Sequence, residues 1–98
     1  MHTILRTAEF NEWLGGLRDR IGLKLVTARL DRLAQGHWGD CEPVGGEVTE
    51  LRMHTGPGYR VYCWQDGPVV VVMLVGGDKS TQKRDIARAQ AMVKQLKE

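Results

Sequence analysis

Apolar residues recur along this chain first at helical and then at strand spacing. Phe10, Trp13, Leu14 and Leu17 fall at i, i+3, i+4 and i+7, which is one face of a helix. Thr7 stands where its N-cap belongs. Gly15-Gly16 weakens that helix by about 1 kcal/mol per glycine relative to alanine, so it is expected to be short. Leu23, Val26, Leu30 and Leu33 predict a second helix with Arg and Lys on its other side. It should stop near Gln35-Gly36, where glycine can take the left-handed C-cap conformation. From His37 to Gly46 the pattern breaks, and Gly39, Pro43, Gly45 and Gly46 predict a loop with room for a short extended piece.

Three strands follow. Glu47–Thr55 alternates through Val48, Leu51 and Met53 with one slip of phase, and Gly56-Pro57-Gly58 is a turn. Tyr59–Trp64 carries the β-favouring Tyr59, Val61, Tyr62 and Trp64. After the hairpin signal Asp66-Gly67 comes the continuously apolar Val69–Val75, the pattern of a strand buried on both faces. Asp78 or Ser80 caps a last helix, buried along Ile86, Ala89, Val93 and Leu96. His2–Arg6 is short and mixed, and predicts at most an edge strand. The order is strand, helix, helix, three strands in hairpin succession, helix. That is one α+β domain over residues 1–98, with a small, mostly antiparallel sheet and helices on one face.

Composition adds limits more than identity. At 98 residues and 42% hydrophobic there is room for one core. A net charge of +2 is too small to name a nucleic-acid partner, so the placement of charge decides. The longest apolar run, Val69–Val75, is far short of the ~20 residues of a membrane span, and no targeting segment or membrane partner is expected. Cys41 and Cys63 lack metal-ligand spacing and read as reduced thiols of a cytoplasmic protein, with no metal or cofactor expected. Gly77-Asp78-Lys79-Ser80-Thr81 echoes the end of a phosphate-binding loop. Asp78 replaces the glycine before the lysine and Met73 stands where the upstream glycine belongs, so nucleotide binding is not expected there.

The candidate chemistry lies between Leu51 and Gln65, a stretch without an acidic residue. Residues two apart on a strand share a face, so Arg52 and His54 can look one way, and Arg60 and Tyr62 can do so on the next strand. If those faces coincide, four polar groups converge, with Lys79 just beyond the third strand at the same rim. Arginine offers a planar fork for phosphate oxygens, and Tyr59 or Tyr62 can stack on or bond to a base. Histidine or lysine can move a proton near neutral pH. RNA supplies its own 2′-hydroxyl nucleophile, so cleavage needs only alignment, charge stabilisation and proton transfer. The same residues also fit an ordinary solvated sheet face.

Two blocks carry a family resemblance. Glu50-Leu51-Arg52-Met53-His54-Thr55-Gly56-Pro57-Gly58-Tyr59-Arg60-Val61-Tyr62 and Gly76-Gly77-Asp78-Lys79-Ser80-Thr81-Gln82 resemble the RelE/ParE toxin superfamily, nearest its HigB-like addiction-module killer branch. The likeness extends to Thr7-Ala8-Glu9-Phe10, Trp13-Leu14 and Asp85-Ile86-Ala87-Arg88-Ala89. It implies a RelE-like β-α-α-β-β-β-α domain acting as the toxin of a type II toxin–antitoxin module. The implied activity is metal-independent cleavage of mRNA on the ribosome. The implied partner is a cognate antitoxin, commonly of helix-turn-helix type, through which alone the toxin reaches operator DNA. Arg60 matches the phosphate-binding arginine after Gly-Tyr. Arg52 and Lys79 match positions where relatives carry basic residues. Lys83, on the solvated side of the last helix, joins Arg52, Tyr59, Arg60 and Lys79 as an expected RNA contact. Some relatives use a tyrosine in the last helix, but Thr81–Glu98 has neither tyrosine nor histidine. That leaves His54, Tyr62 or Lys79 for proton transfer. A ParE-like inhibitor of DNA gyrase without nuclease activity is the alternative the superfamily allows, and a degenerate toxin that only binds its antitoxin is a third.

Overall fold

A computed structural model describes residues Met1–Glu98. The elements are β1 (Thr3–Arg6), α1 (Ala8–Gly15), α2 (Arg20–Ala34), β2 (Cys41–Pro43), β3 (Val48–Arg52), β4 (Arg60–Asp66), β5 (Val70–Gly77) and α3 (Gln82–Lys97), the last preceded by a 3-10 turn at Lys79–Thr81. The chain is thus an α+β domain of three helices and one five-stranded mixed sheet, ordered β1-β5-β4-β3-β2. β1 runs parallel to β5, and every other pairing is antiparallel. The short extended piece foreseen in the 37–46 loop is β2, the outer strand beyond β3. The sheet therefore has one strand more than the three-hairpin reading.

The helices lie on both faces of the sheet, which corrects the one-face expectation. Phe10, Leu14, Val26, Leu30 and Leu33 of α1 and α2 pack with Leu51, Val61, Cys63, Val71 and Met73. Ala89 and Val93 of α3 pack on the opposite face with Val48, Tyr62, Trp64, Leu74 and Val75. The central strands β3, β4 and β5 each contribute to both cores, which is why β5 is apolar along its length. Burying a side chain such as Phe10, fully enclosed here, stabilises the fold by about 1.5–3 kcal/mol. Only the first residue of the predicted run, Val69, is exposed.

Local chemistry sets the joints. Between β4 and β5 the register skips one residue: Tyr62 pairs with Val75 and Cys63 with Met73, leaving Leu74 as a bulge. Thr7 closes it, donating from Oγ1 to the Leu74 carbonyl (2.6 Å) while accepting from the Phe10 N–H (3.0 Å) as the α1 N-cap. Asp19 caps α2 through Oδ1 and accepts the Tyr59 hydroxyl on Oδ2 (2.8 Å), tying the helix to the start of β4. Asp78 caps the 3-10 turn in a reciprocal capping box with Thr81. No helix is long and apolar enough to cross a membrane.

Candidate functional site

Strand alternation places the site. In β4, Tyr62 and Trp64 face α3 while Val61 and Cys63 face α1 and α2, so Arg60 falls on the α3 side. Arg52 pairs with Arg60 and Glu50 with Tyr62, so all four share that face. The Met53 N–H to Tyr59 carbonyl bond (2.9 Å) continues the register one step and brings His54 to the Gly58 end. Arg52, His54, Arg60 and Tyr62 therefore do lie on one face, as their spacing predicts. α3 starts at Gln82, whose Nε2 donates to Glu50 Oε2 (2.8 Å). The helix covers Tyr62 and Glu50, whereas the His54 side chain is 67% exposed at the other end.

The stretch is acid-free in sequence but not in space. Arg52 Nε donates to Glu50 Oε1 (2.8 Å), and its Nη2 pairs with Glu42 of β2. His54 Nε2 lies 2.5 Å from Asp40 Oδ2, and that hydrogen bond holds the Asp40 carboxyl below the usual carboxylate range. Arg52 and His54 are thus engaged by carboxylates from β2, from the segment just before it, and from the residue preceding the stretch.

Arg60 differs. It is only 7% exposed and makes no ion pair with a carboxylate. Nη1 reaches only the Gly58 and Tyr59 carbonyls, each at 3.3 Å, and Nε is buried with no partner. Nη2 has no protein acceptor and is not sealed from solvent. A buried guanidinium with donors left over is costly unless something outside the chain meets them. Lys79, exposed in the 3-10 turn, stands beside it: a Cβ built on Gly58 would be 3.4 Å from the Lys79 Cβ and 3.5 Å from Arg60 Nη1. Gly58, with φ at +76°, is thus the floor between Arg60 and Lys79.

The two tyrosines do not take the roles expected of them. Tyr59 is on the α1/α2 side, buried edge-on to Trp13 at 6.3 Å between ring centroids. Its hydroxyl, bonded to Asp19, is pushed above its ordinary pKa by that bond and is not free for a base. Tyr62 is fully buried, and its hydroxyl has no partner. Burial, reinforced by the charge of Glu50, raises its pKa, so it stays protonated and cannot serve as a general base. Lys83 is exposed in the first turn of α3.

No family model matches this chain. It is 40% identical over 93 residues to an uncharacterized protein of Haemophilus influenzae, covering 95% of this chain and 94% of that protein. The two belong to one family. In this member of the family, three site residues escaped sequence reasoning. Glu50 is fully buried, holding Arg52 and Gln82. Arg29 is buried in α2 and donates to the backbone carbonyls of Trp38, Asp40 and Arg52. Asp40 pairs with His54 across a sequence gap no periodicity spans. The one usable signal was Glu50, a charge two residues after Val48 and so in phase with that strand's inward apolar position.

Proposed function

We propose that this domain is the toxin of a type II toxin–antitoxin module of the RelE/ParE kind, a metal-independent endonuclease that cuts mRNA on the ribosome in the cytoplasm. A cognate antitoxin of helix-turn-helix type would silence it and carry it to operator DNA. The observation that supports this reading best is Arg60: a buried guanidinium with no carboxylate partner, Nη2 without a protein acceptor, and Lys79 at the same glycine floor. That is the electrostatic form of a phosphate site. Arg60 binds the scissile phosphate and stabilises the charge that grows on it. Lys79 supplies a mobile cation and proton at the rim, and His54 is the exposed imidazole on the same face. Arg52 takes part through the field it adds, since its own donors are held by Glu50 and Glu42.

The test is expression of the wild type and of Arg60→Ala with mRNA ends mapped in cells. New 5′ ends within ribosome-bound messages should appear with the wild type and be lost with the variant, while both still bind the antitoxin. Growth arrest with DNA breaks, an SOS response and no new 5′ ends would overturn the nuclease reading and point to gyrase inhibition instead.

A further inference from the structure

We infer that Asp40 is a positioning residue that orients His54 as the general base of the site. The assignment rests on the nuclease reading above and adds to it the group that reading lacks. Three observations converge. His54 Nε2 lies 2.5 Å from Asp40 Oδ2, so Nε2 is the donor to the carboxylate and Nδ1 is the nitrogen left free for a proton in the neutral ring. Asp40 is itself held: its carbonyl accepts from Arg29 Nη2 (2.5 Å) and from the Arg52 N–H (3.0 Å), fixing the backbone from which its carboxylate projects. Gly39, with φ at +68°, lets Arg29 approach, since a Cβ there would come within 2.7 Å of Arg29 Nε. The buried Arg29 thereby clamps the Trp38–Asp40 segment against the end of β3.

His54 stands two residues beyond the end of β3, past Arg52, the register partner of Arg60. A phosphodiester bound to Arg60 and running toward this end of the sheet would bring its neighbouring 2′-hydroxyl to Nδ1. In the step, the 2′-hydroxyl proton passes to His54 Nδ1 as the bond from the 2′-oxygen to phosphorus forms. The bond from phosphorus to the 5′-oxygen breaks, and that oxygen takes a proton from the Lys79 ammonium. The products are a 2′,3′-cyclic phosphate and a 5′-hydroxyl end. The charged groups around the imidazole are Asp40 itself, Arg29 and Arg52 behind it, and Glu42 and Glu50, which engage Arg52.

The experiment compares wild type, Asp40→Asn, Asp40→Glu and His54→Ala. Cleavage kinetics are measured on mRNA-programmed ribosomes, and the His54 tautomer of the free protein is read from nitrogen-15 spectra. Asp40→Asn should lower kcat by roughly 10- to 100-fold with KM for ribosomes unchanged, and His54→Ala by on the order of 100-fold or more. Asp40→Glu should recover part of the loss. The spectra should show Nε2–H in the wild type and a tautomer mixture in Asp40→Asn, whose otherwise unchanged spectrum confirms its fold. Wild-type cleavage together with an Asp40→Asn enzyme of unaltered kcat overturns the assignment alone. Intact mRNA with the wild type overturns the nuclease reading and the assignment with it.

Discussion

Replacing Gly77 by alanine probes how the site is joined to the fold. Gly77 is the β5 partner of Arg60, and the 3-10 turn that carries Lys79 begins two residues later. Its φ is not positive, so space alone demands glycine. A Cβ there would lie 2.0 Å from Asp85 Oδ2 and 2.7 Å from Thr81 Oγ1, where ordinary contact starts at 3.4 Å. Asp85 must retreat by over an ångström, yet it is only 3% exposed and accepts the Thr81 hydroxyl at 2.6 Å. Overpacking costs about 1–3 kcal/mol, and losing a hydrogen bond to a charged group about 1.5–3 kcal/mol. The expected destabilisation is about 3 kcal/mol, which in a domain of this size lowers Tm by at least about 10 °C. Urea denaturation and thermal melts measure it. Asp85→Ala removes the obstructing carboxylate, so the double variant should be less destabilised than the two single losses combined, by about 1–2 kcal/mol. A Gly77→Ala loss below about 1 kcal/mol, or strict additivity in the cycle, would refute the reasoning.

Other substitutions separate function from stability. Arg60→Met should leave Tm unchanged or raised, because it removes a buried guanidinium whose Nε is unmet and whose Nη1 bonds are long, while abolishing mRNA cleavage; a large drop in Tm would show that the guanidinium holds the fold. Glu47 is the single non-glycine residue at positive φ (65°). Glu47→Gly relieves about 1 kcal/mol of left-handed strain against a small loss from its exposed pair with Lys97, so a modest rise in urea midpoint is expected. Asp19 is held below the usual carboxylate range, first by the Gly22 N–H and then by the Tyr59 hydroxyl. Its contribution is therefore present above the unfolded carboxylate pKa near 4 and lost as pH falls through the lower folded value. Stability curves measured from pH 6 to pH 2 should show a shallower acid fall for Asp19→Asn than for the wild type.

Much of this architecture was legible because it is local. Thr7 capping α1, the early stop at Gly15, the glycine turn at 56–58 and the shared face of Arg52, His54, Arg60 and Tyr62 all follow from short-range rules. The helix on the far face was also signalled, since an apolar strand such as Val71–Val75 requires cover on both sides; a one-face arrangement left half of it wet. What the chain could not disclose locally was the company its charges keep. Glu42 and Asp40 reach Arg52 and His54 only once β2 docks on β3, and Asp19 reaches Tyr59 across 40 positions of sequence. Side-chain spacing predicts which residues share a face, but tertiary pairing decides which of them remain uncompensated. For that reason Arg60 is left without a carboxylate partner, while Tyr59 and Tyr62 are buried beneath helices.

The parallel pairing of β1 with β5 bears on when this protein comes into being. Thr3–Arg6 are made well before their partners, Val70–Met73. A nascent chain that ends before Val70 has nothing for β1 to join, and the sheet lacks the strand that lies between β1 and β4. Arg60, Gly77 and Lys79 meet only when that strand is in place. Assembly from such distant segments is slow compared with local helix formation. A protein with the activity proposed here would thus be harmless to the ribosome that is making it until β5 and the turn after it have emerged, since only then is its site assembled.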